Sequence, residues 1–492
     1  MSPCFQTRLK RPLLCHLKTR FSIHLMHIST TVKPKAKSQN IVSFSFSSNQ
    51  TPSYYALFLQ CCLNQKALVP GKQLHACLCH LGLGFDEFLA TKLVNLYCIC
   101  NCLREAHLLF DKIPKRNLFL WNILIQGYAW YGPHGVAIEL YYRMFDYGLV
   151  PDNFTFPFVL KACSTVSAIE DGRKIHGQVI RSGWEGDVFV GAALIDMYAK
   201  CGLVDNAREV FDKIAVRDVV LWNSMLAAYS QNDKPDKSIS LCSEMVLSGL
   251  RPSEATLVTV ISASAAIGLL PQGKELHGFA WRWRFESNDK VKTTLLDMYA
   301  KCGSLKVAHN LFDQLKEKRV VSWNAMITGY AMHGRTNEAL ELFDKMREVA
   351  KPDHITFVGV LSACSHDCLL EKGRYFFESM VRDYHIEPAI QHYTCMIDLL
   401  GHSGRLVEAY HLIMQMRMVP DAGIWGALLN SCKIHGNVEF GELALEKLIE
   451  FEPDDAGNYA ILSNIYAQAG RWDGVAKLRK LMTDKGLKKS ID

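Results

Sequence analysis

The heptapeptide Asp-Met-Tyr-Ala-Lys-Cys-Gly occurs at 196–202 and again, unchanged, at 297–303, 101 residues later. Trp-Asn pairs at 121–122, 222–223 and 323–324 keep the same period. So do His75, His176 and His277, each a few residues after Gly71, Gly172 and Gly273. Three unrelated landmarks on one period mean that the chain is built by internal repetition, which decides the fold class before any local reading.

Each 101-residue block divides into units of 35, 35 and 31 residues, as in 219–253, 254–288 and 289–319. Such a unit holds two helices of three or four turns and little else. In 188–218, Leu194, Met197 and Tyr198 share one helical face. Gly202 then stops the first helix, because glycine tolerates the left-handed backbone just past a helix end; Asn101, the next-best residue there, stands at the matching place one block earlier. Ala207, Val210 and Phe211 mark the apolar face of the second helix, with Ala207 small enough for close approach. One hairpin cannot bury both faces alone, so the expected fold is all-α: stacked helix-turn-helix hairpins in a solenoid. The recurring Leu, Tyr, Phe, Ala and Cys residues are read as packing.

The chain has 492 residues, and its charge is uneven. Residues 1–85 hold ten Lys and Arg and no acid; the remainder holds 45 basic and 49 acidic residues. A polycation that grips nucleic acid by charge alone is therefore excluded, and base contacts must carry much of any such binding. The first fifty residues, with eight Ser, are expected to form an organelle transit peptide within a leader over 1–51. Arginine near the start favours the mitochondrion, with the chloroplast as the alternative. No apolar run is long enough to cross a membrane. Seventeen scattered cysteines, several at a fixed repeat place such as Cys201 and Cys302, suit small buried side chains in a reducing compartment. His75, Cys77, Cys79 and His80, with Cys98, Cys100 and Cys102, lack the spacing of a zinc site, so no metal and no cofactor is expected.

Trp323 to Ala331, Leu194 to Gly202 and Gly71 to His75 resemble the P, S and L motifs of plant pentatricopeptide repeat (PPR) proteins of the PLS subclass. The resemblance covers 52–492 and implies a right-handed superhelical solenoid. The register is 52–86 (L), 87–117 (S), 118–152 (P), 153–187 (L), 188–218 (S), 219–253 (P), 254–288 (L), 289–319 (S), 320–353 (P), 354–389 (L) and 390–421 (S). Ile424 to Leu429 and Gly457 to Ala467 resemble the family's E domain, placed at 422–492 as two degenerate hairpins.

The resemblance implies that the fifth residue of a repeat and its last residue together contact one RNA base. The fifth places hold Asn122, Asn223 and Asn324 in P units and Thr91, Ala192, Thr293 and Thr394 in S units. The last places hold Asn117, Asp152, Asp187, Asp218, Ser253, Asn288, Arg319, Asp353 and Asp421. A carboxylate only accepts, so a terminal Asp favours uracil or guanine, whose ring nitrogens carry hydrogen; Asn can also donate and so admits adenine or cytosine. By family analogy Thr selects purine and Asn pyrimidine. Thr91/Asn117 then suggests A, Asn122/Asp152 U, Asn223/Ser253 C, Asn324/Asp353 U and Thr394/Asp421 G. Ala192/Asp218 and Thr293/Arg319 fit poorly. The L units, with Pro157, Val258 and Val358 at the fifth place, should read little. The implied target is A-U-n-n-Y-n-n-U-n-G, three nucleotides, then an edited C.

The family's deaminase domain carries His-x-Glu and Pro-Cys-x-x-Cys. His385-Ile-Glu387 fits the first only in spelling, Cys-x-x-Cys occurs nowhere, and the chain ends at Asp492 where deaminase-bearing relatives continue. The chain is therefore expected not to be an enzyme but to guide a DYW-type deaminase supplied in trans, with other organellar editing factors and single-stranded organellar RNA as partners and no membrane. An organellar splicing or transcript-stability factor would use the same groove. A tetratricopeptide-like protein scaffold would instead keep a uniform 34-residue period, which is not seen.

Overall fold

The computed structural model describes residues 52–487. The leader expected at 1–51 and the final residues 488–492 lie outside the described residues. Every regular element among the described residues is a helix, 26 in all. They form two compact units that adjoin in sequence at Arg116 and Asn117.

In the first unit, α1 (Pro52–Gln65) and α2 (Leu68–His80) make one hairpin, and α3 (Glu87–Ile99) and α4 (Leu103–Lys112) the next. Leu59, Leu74, Leu78, Leu89, Leu93, Leu96 and Phe110 are buried among them.

The second unit begins with α5 (Leu118–Tyr131) and α6 (His134–Asp146), then α7 (Thr155–Thr165) and α8 (Ile169–Arg181), α9 (Val188–Lys200) and α10 (Val204–Lys213), and α11 (Val219–Gln231) and α12 (Pro235–Leu247). It continues with α13 (Glu254–Ala266) and α14 (Leu270–Arg282), α15 (Asp289–Lys301) and α16 (Leu305–Asp313), α17 (Val320–Met332) and α18 (Thr336–Val349), and α19 (His354–His366) and α20 (Leu370–Arg382). It closes with α21 (Ile390–His402) and α22 (Leu406–Met414), α23 (Ala422–His435) and α24 (Val438–Phe451), and α25 (Ala456–Gln468) and α26 (Trp472–Asp484). The first helices, α5 through α25 by odd numbers, pack on one another in an unbroken row. Each second helix packs on its own first helix and on the next hairpin's first helix. Contacts between neighbours only are what define a solenoid.

The local chemistry repeats with the hairpins. After α9, Gly202 takes φ +75°, and Leu203 N–H donates to Tyr198 O at 2.8 Å while Gly202 N–H donates to Ala199 O at 3.0 Å. Paired bonds of this kind close the open carbonyls of a helix end. Asn101 and Gly303 hold the same left-handed turn. Leu194, Met197, Tyr198, Ala207, Val210 and Phe211 are all buried. Burying a side chain such as Phe211 contributes roughly 1.5–3 kcal/mol. The recurring cysteines depart from expectation: Cys201 and Cys302 are only half-buried, because each caps its helix rather than facing the core, whereas Cys163, Cys242, Cys364 and Cys432 are buried.

Neighbouring hairpins are also laced by side chains. Gly71, Gly172 and Gly273 lie where a Cβ would strike Leu96, Met197 and Met298 of the following first helix. Four residues on, the ring Nδ1 of His75, His176 and His277 meets the hydroxyl of Tyr97, Tyr198 and Tyr299 at 2.8, 2.8 and 3.0 Å. Burial first, and a nearby lysine for His75 and His176, hold these histidines below their ordinary pKa. The periodic Gly and His landmarks are thus joints between hairpins. Asn232 Nδ2 donates to Ala199 O at 3.0 Å and His333 Nε2 to Ala300 O at 2.9 Å, closing the end of the preceding first helix.

Candidate nucleic-acid interface

An amide inside an apolar helix needs partners, since burying it unpaired costs about 1–3 kcal/mol. In the P-type hairpins the partners are the unit's own last residue and a threonine of the next hairpin. Asn122 Nδ2 donates to Asp152 Oδ1 at 3.1 Å, and Asn122 Oδ1 accepts from the Thr155 hydroxyl at 2.7 Å. Asn324 repeats this with Asp353 Oδ1 at 2.9 Å and Thr356 at 2.6 Å. Asn223 does so with Ser253 Oγ at 3.1 Å and Thr256 at 2.6 Å. Thr155, Thr256 and Thr356 are fully buried, while Asp152, Ser253 and Asp353 stay half-exposed.

The terminal residue is held from behind as well. Asp353 Oδ1 accepts from Thr356 N–H at 3.0 Å, and Asp353 N–H donates to Thr356 Oγ1 at 3.0 Å. Ser253 and Thr256 form the same reciprocal cap. Asp152 Oδ1 accepts from Phe154 and Thr155 N–H. The hydrogen bonds to the Asp152 and Asp353 carboxylates fall on Oδ1, and among the described residues no donor is found for Oδ2. Burial would raise the pKa of Asp353, but the Thr356 N–H first, then the Asn324 amide and nearby His354, outweigh it and hold the group below its ordinary value. At neutral pH it is a carboxylate that can only accept.

In the S-type hairpins the fifth-place threonines behave differently. Thr91, Thr293 and Thr394 donate their hydroxyl hydrogen to the carbonyls of Glu87, Asp289 and Ile390, at 2.6, 2.7 and 3.0 Å. Their oxygens keep lone pairs to offer. Asn117, Asp218 and Asp421 each cap the following first helix, accepting from Leu120, Leu221 and Ile424 N–H at 3.0, 2.9 and 3.0 Å. Arg319 makes no such cap and pairs with Glu317 at 3.4 Å. At the ends of the L-type hairpins, Asp187 Oδ1 accepts from Phe189 and Val190 N–H, and Asn288 Oδ1 from Lys290 and Val291 N–H. Nearly every last-place residue is therefore a helix cap, a structural role that its sequence spacing also satisfies.

Two features are absent from the sequence-based list. The buried Thr155, Thr256 and Thr356 complete each network. In six repeats of the second unit the second residue, at or just before the start of the first helix, is an exposed apolar side chain: Phe119, Phe154, Phe189, Val220, Val321 and Ile355, between 48% and 68% accessible. Large apolar groups at places that amphipathic patterning assigns to solvent are the signal that finds them. Beside one, a recess of about 300 Å³ opens between α9 and α11, lined by Asp196, Val220, Asn223 and Gln231 among others. Among the described residues, no three His, Cys, Asp or Glu converge to hold a metal ion, and no helix is long and apolar enough to cross a membrane. His385 lies in the loop between α20 and α21.

Comparisons with known proteins agree with this architecture. The PPR repeat model matches 90–118, 119–149, 193–219, 292–320 and 392–418; the PPR repeat family model matches 217–265 and 318–366; the E motif matches 435–490. The Arabidopsis thaliana pentatricopeptide repeat-containing protein CRR2, chloroplastic, is 39% identical over 94% of this chain and 71% of its own length. A mitochondrial pentatricopeptide repeat-containing protein of the same plant is 39% identical over 88% of this chain and 68% of its own. The fold resembles maize PPR10, with TM-score 0.54 at 17% identity, covering 95% of this chain and 71% of that one. It also resembles PPR10 in complex with an 18-nucleotide psaJ RNA element, with TM-score 0.63 at 18% identity, covering 94% and 71%. The chain belongs to the pentatricopeptide repeat family, as a PLS-type member with an E motif.

Proposed function

We propose that this protein binds single-stranded organellar RNA in a sequence-specific way and marks a site for C-to-U editing, with a DYW-type deaminase acting in trans. The observation that carries the RNA reading is the network at Asn122, Asn223 and Asn324. Each presents an amide and a terminal acceptor in fixed relation, once per block, on the row of first helices. Reading unstacked bases one repeat at a time is an established mode of RNA recognition. The exposed apolar residues at the second places offer faces on which bases can rest. PPR10, whose fold this chain shares, is named in complex with RNA.

In the proposed register Thr91/Asn117, Asn122/Asp152, Asn223/Ser253, Asn324/Asp353 and Thr394/Asp421 select A, U, C, U and G. Asp187, Asp218, Asn288 and Thr293 contribute contacts of lower selectivity. The E motif favours editing over splicing or transcript stability, and other organellar editing factors complete the assembly. The mitochondrion is the proposed compartment; relatives are named for both organelles. Sequencing organelle transcripts from a null mutant tests the reading. Loss of one C-to-U event downstream of a sequence resembling A-U-n-n-Y-n-n-U-n-G supports it; a retained intron or a missing transcript with editing intact overturns the editing role.

A further inference from the structure

We propose that Lys161, carried on the indole of Trp130, is a binding site for a backbone phosphodiester of the bound RNA. The inference rests on the RNA-binding reading above and adds a contact that the base-reading positions do not supply.

Gln126 and Trp130 follow Asn122 at i+4 and i+8 on α5, which carries Trp130 two turns on and roughly 80° round from Asn122. Eight residues of rise put it about 12 Å along the axis from Asn122. On this proposal, this end of the first helices is the lane of the RNA backbone, since a base held at Asn122 carries its phosphate several ångströms away from the base edge. Trp130 is 55% accessible, whereas Trp121, Trp222 and Trp323 are buried. Its counterparts on α11 and α17 are Gln231 and Met332.

From the neighbouring helix α7, Lys161 places its ammonium 4.3 Å from the centre of the indole. An aromatic face holds a cation in position without cancelling its charge. The lysines at the Trp130 level of α9 and α15 are different. Lys200 is paired with Asp196 at 2.8 Å and Lys301 with Asp297 at 2.9 Å. No ion pair involving Lys161 is found among the described residues. The lane thus contains a pre-positioned cation whose charge is still available, on the hairpin whose fifth residue, Pro157, has no side-chain donor or acceptor for a base. That hairpin would hold its nucleotide by the backbone rather than by the base edge.

The test uses the full chain and a synthetic single-stranded RNA carrying A-U-N-N-Y-N-N-U-N-G-N-N-N-C, titrated between 50 and 200 mM KCl. Lys161→Met should flatten the plot of log affinity against log salt by about 0.7, one phosphate's share on a single strand. It should leave the U-over-C preference opposite Asn324 and Asp353 unchanged. Lys161→Arg should keep the wild-type slope. Trp130→Leu should keep the slope and lose roughly two- to five-fold in affinity, as the ammonium loses its support. Replacing single phosphates near the third nucleotide by uncharged methylphosphonates should weaken the wild type at one position and leave Lys161→Met indifferent there. An unchanged slope in Lys161→Met, or equal methylphosphonate losses in both proteins, overturns the site while wild-type binding stands. A wild-type chain that does not bind the RNA overturns the proposed function and this site together. Trp130 is exposed and Lys161 half-buried, and matching thermal midpoints establish that the variants are folded.

Discussion

The fifth-place asparagines carry two demands at once. Each must satisfy its own amide inside a packed helix and still leave hydrogen-bonding capacity for a base. The buried threonine resolves this: Thr356 donates to the Asn324 carbonyl, so the amide cannot turn over, and one amide hydrogen is committed to Asp353 while the other remains. Thr356→Val keeps the shape and removes the hydroxyl. It should cost about 1–3 kcal/mol in stability, the penalty for leaving the Asn324 carbonyl and the Asp353 N–H unpaired. It should also narrow the difference in affinity between RNAs with U and C at that nucleotide. Urea unfolding and paired binding curves check both; an unchanged midpoint would mean that the hydroxyl holds nothing. Asn324 was legible in the sequence because a polar residue stood out in an apolar helix. Thr356 was not, because a buried threonine at the third place of a helix reads as an ordinary β-branched core residue. Asp353-x-x-Thr356, Ser253-x-x-Thr256 and Asp152-x-x-Thr155 do follow the spacing of a reciprocal cap, a signal that periodicity alone does not weigh.

At the scale of helices, the repeated glycine and histidine were visible as landmarks, but their purpose was not, since contacts between hairpins leave no mark in the pattern of one hairpin. Gly172 admits Met197, and His176 then meets Tyr198. The histidines have consequences for stability. Burial lowers the pKa of His75, His176 and His277 from an ordinary 6.5, so the folded chain resists protons that the unfolded chain accepts. Their stabilising contribution is complete above pH 6.5 and is lost as pH falls through the folded-state values. The thermal midpoint should therefore drop as pH is lowered below 6.5, and replacing all three by Gln should weaken that dependence. A midpoint equally acid-sensitive in the triple variant would assign the effect elsewhere. The helix ends were more readable. Gly202 and Asn101 adopt the left-handed turn expected of them, because that turn depends on one residue's backbone freedom and not on its neighbours.

Across the whole molecule, the 101-residue period was enough to fix the architecture, since a repeated hairpin has few ways to bury its faces except against a copy of itself. The row of exposed apolar residues from Phe119 to Ile355 escaped the same reasoning, because core patterns are read from where apolar residues should be, not from where they should not. With 45 basic and 49 acidic residues after position 85, the array cannot rely on charge. Affinity for a matched RNA should fall only roughly 20-fold between 50 and 200 mM salt, as for about three phosphate contacts. A loss of about 300-fold or more, the order expected for six or more contacts on a single strand, would reveal a charge-driven binder. The central claim is that the half-buried Asn324–Asp353 pair selects one nucleotide by the direction of its hydrogen bonds, and one exchange of substituents tests it. Purified wild type and Asp353→Asn are each titrated with two RNAs that differ only by U or C at the eighth position of the site. The wild type should favour U, and the variant, now able to donate, should shift its preference toward C; the same order of affinity in both proteins would contradict the account.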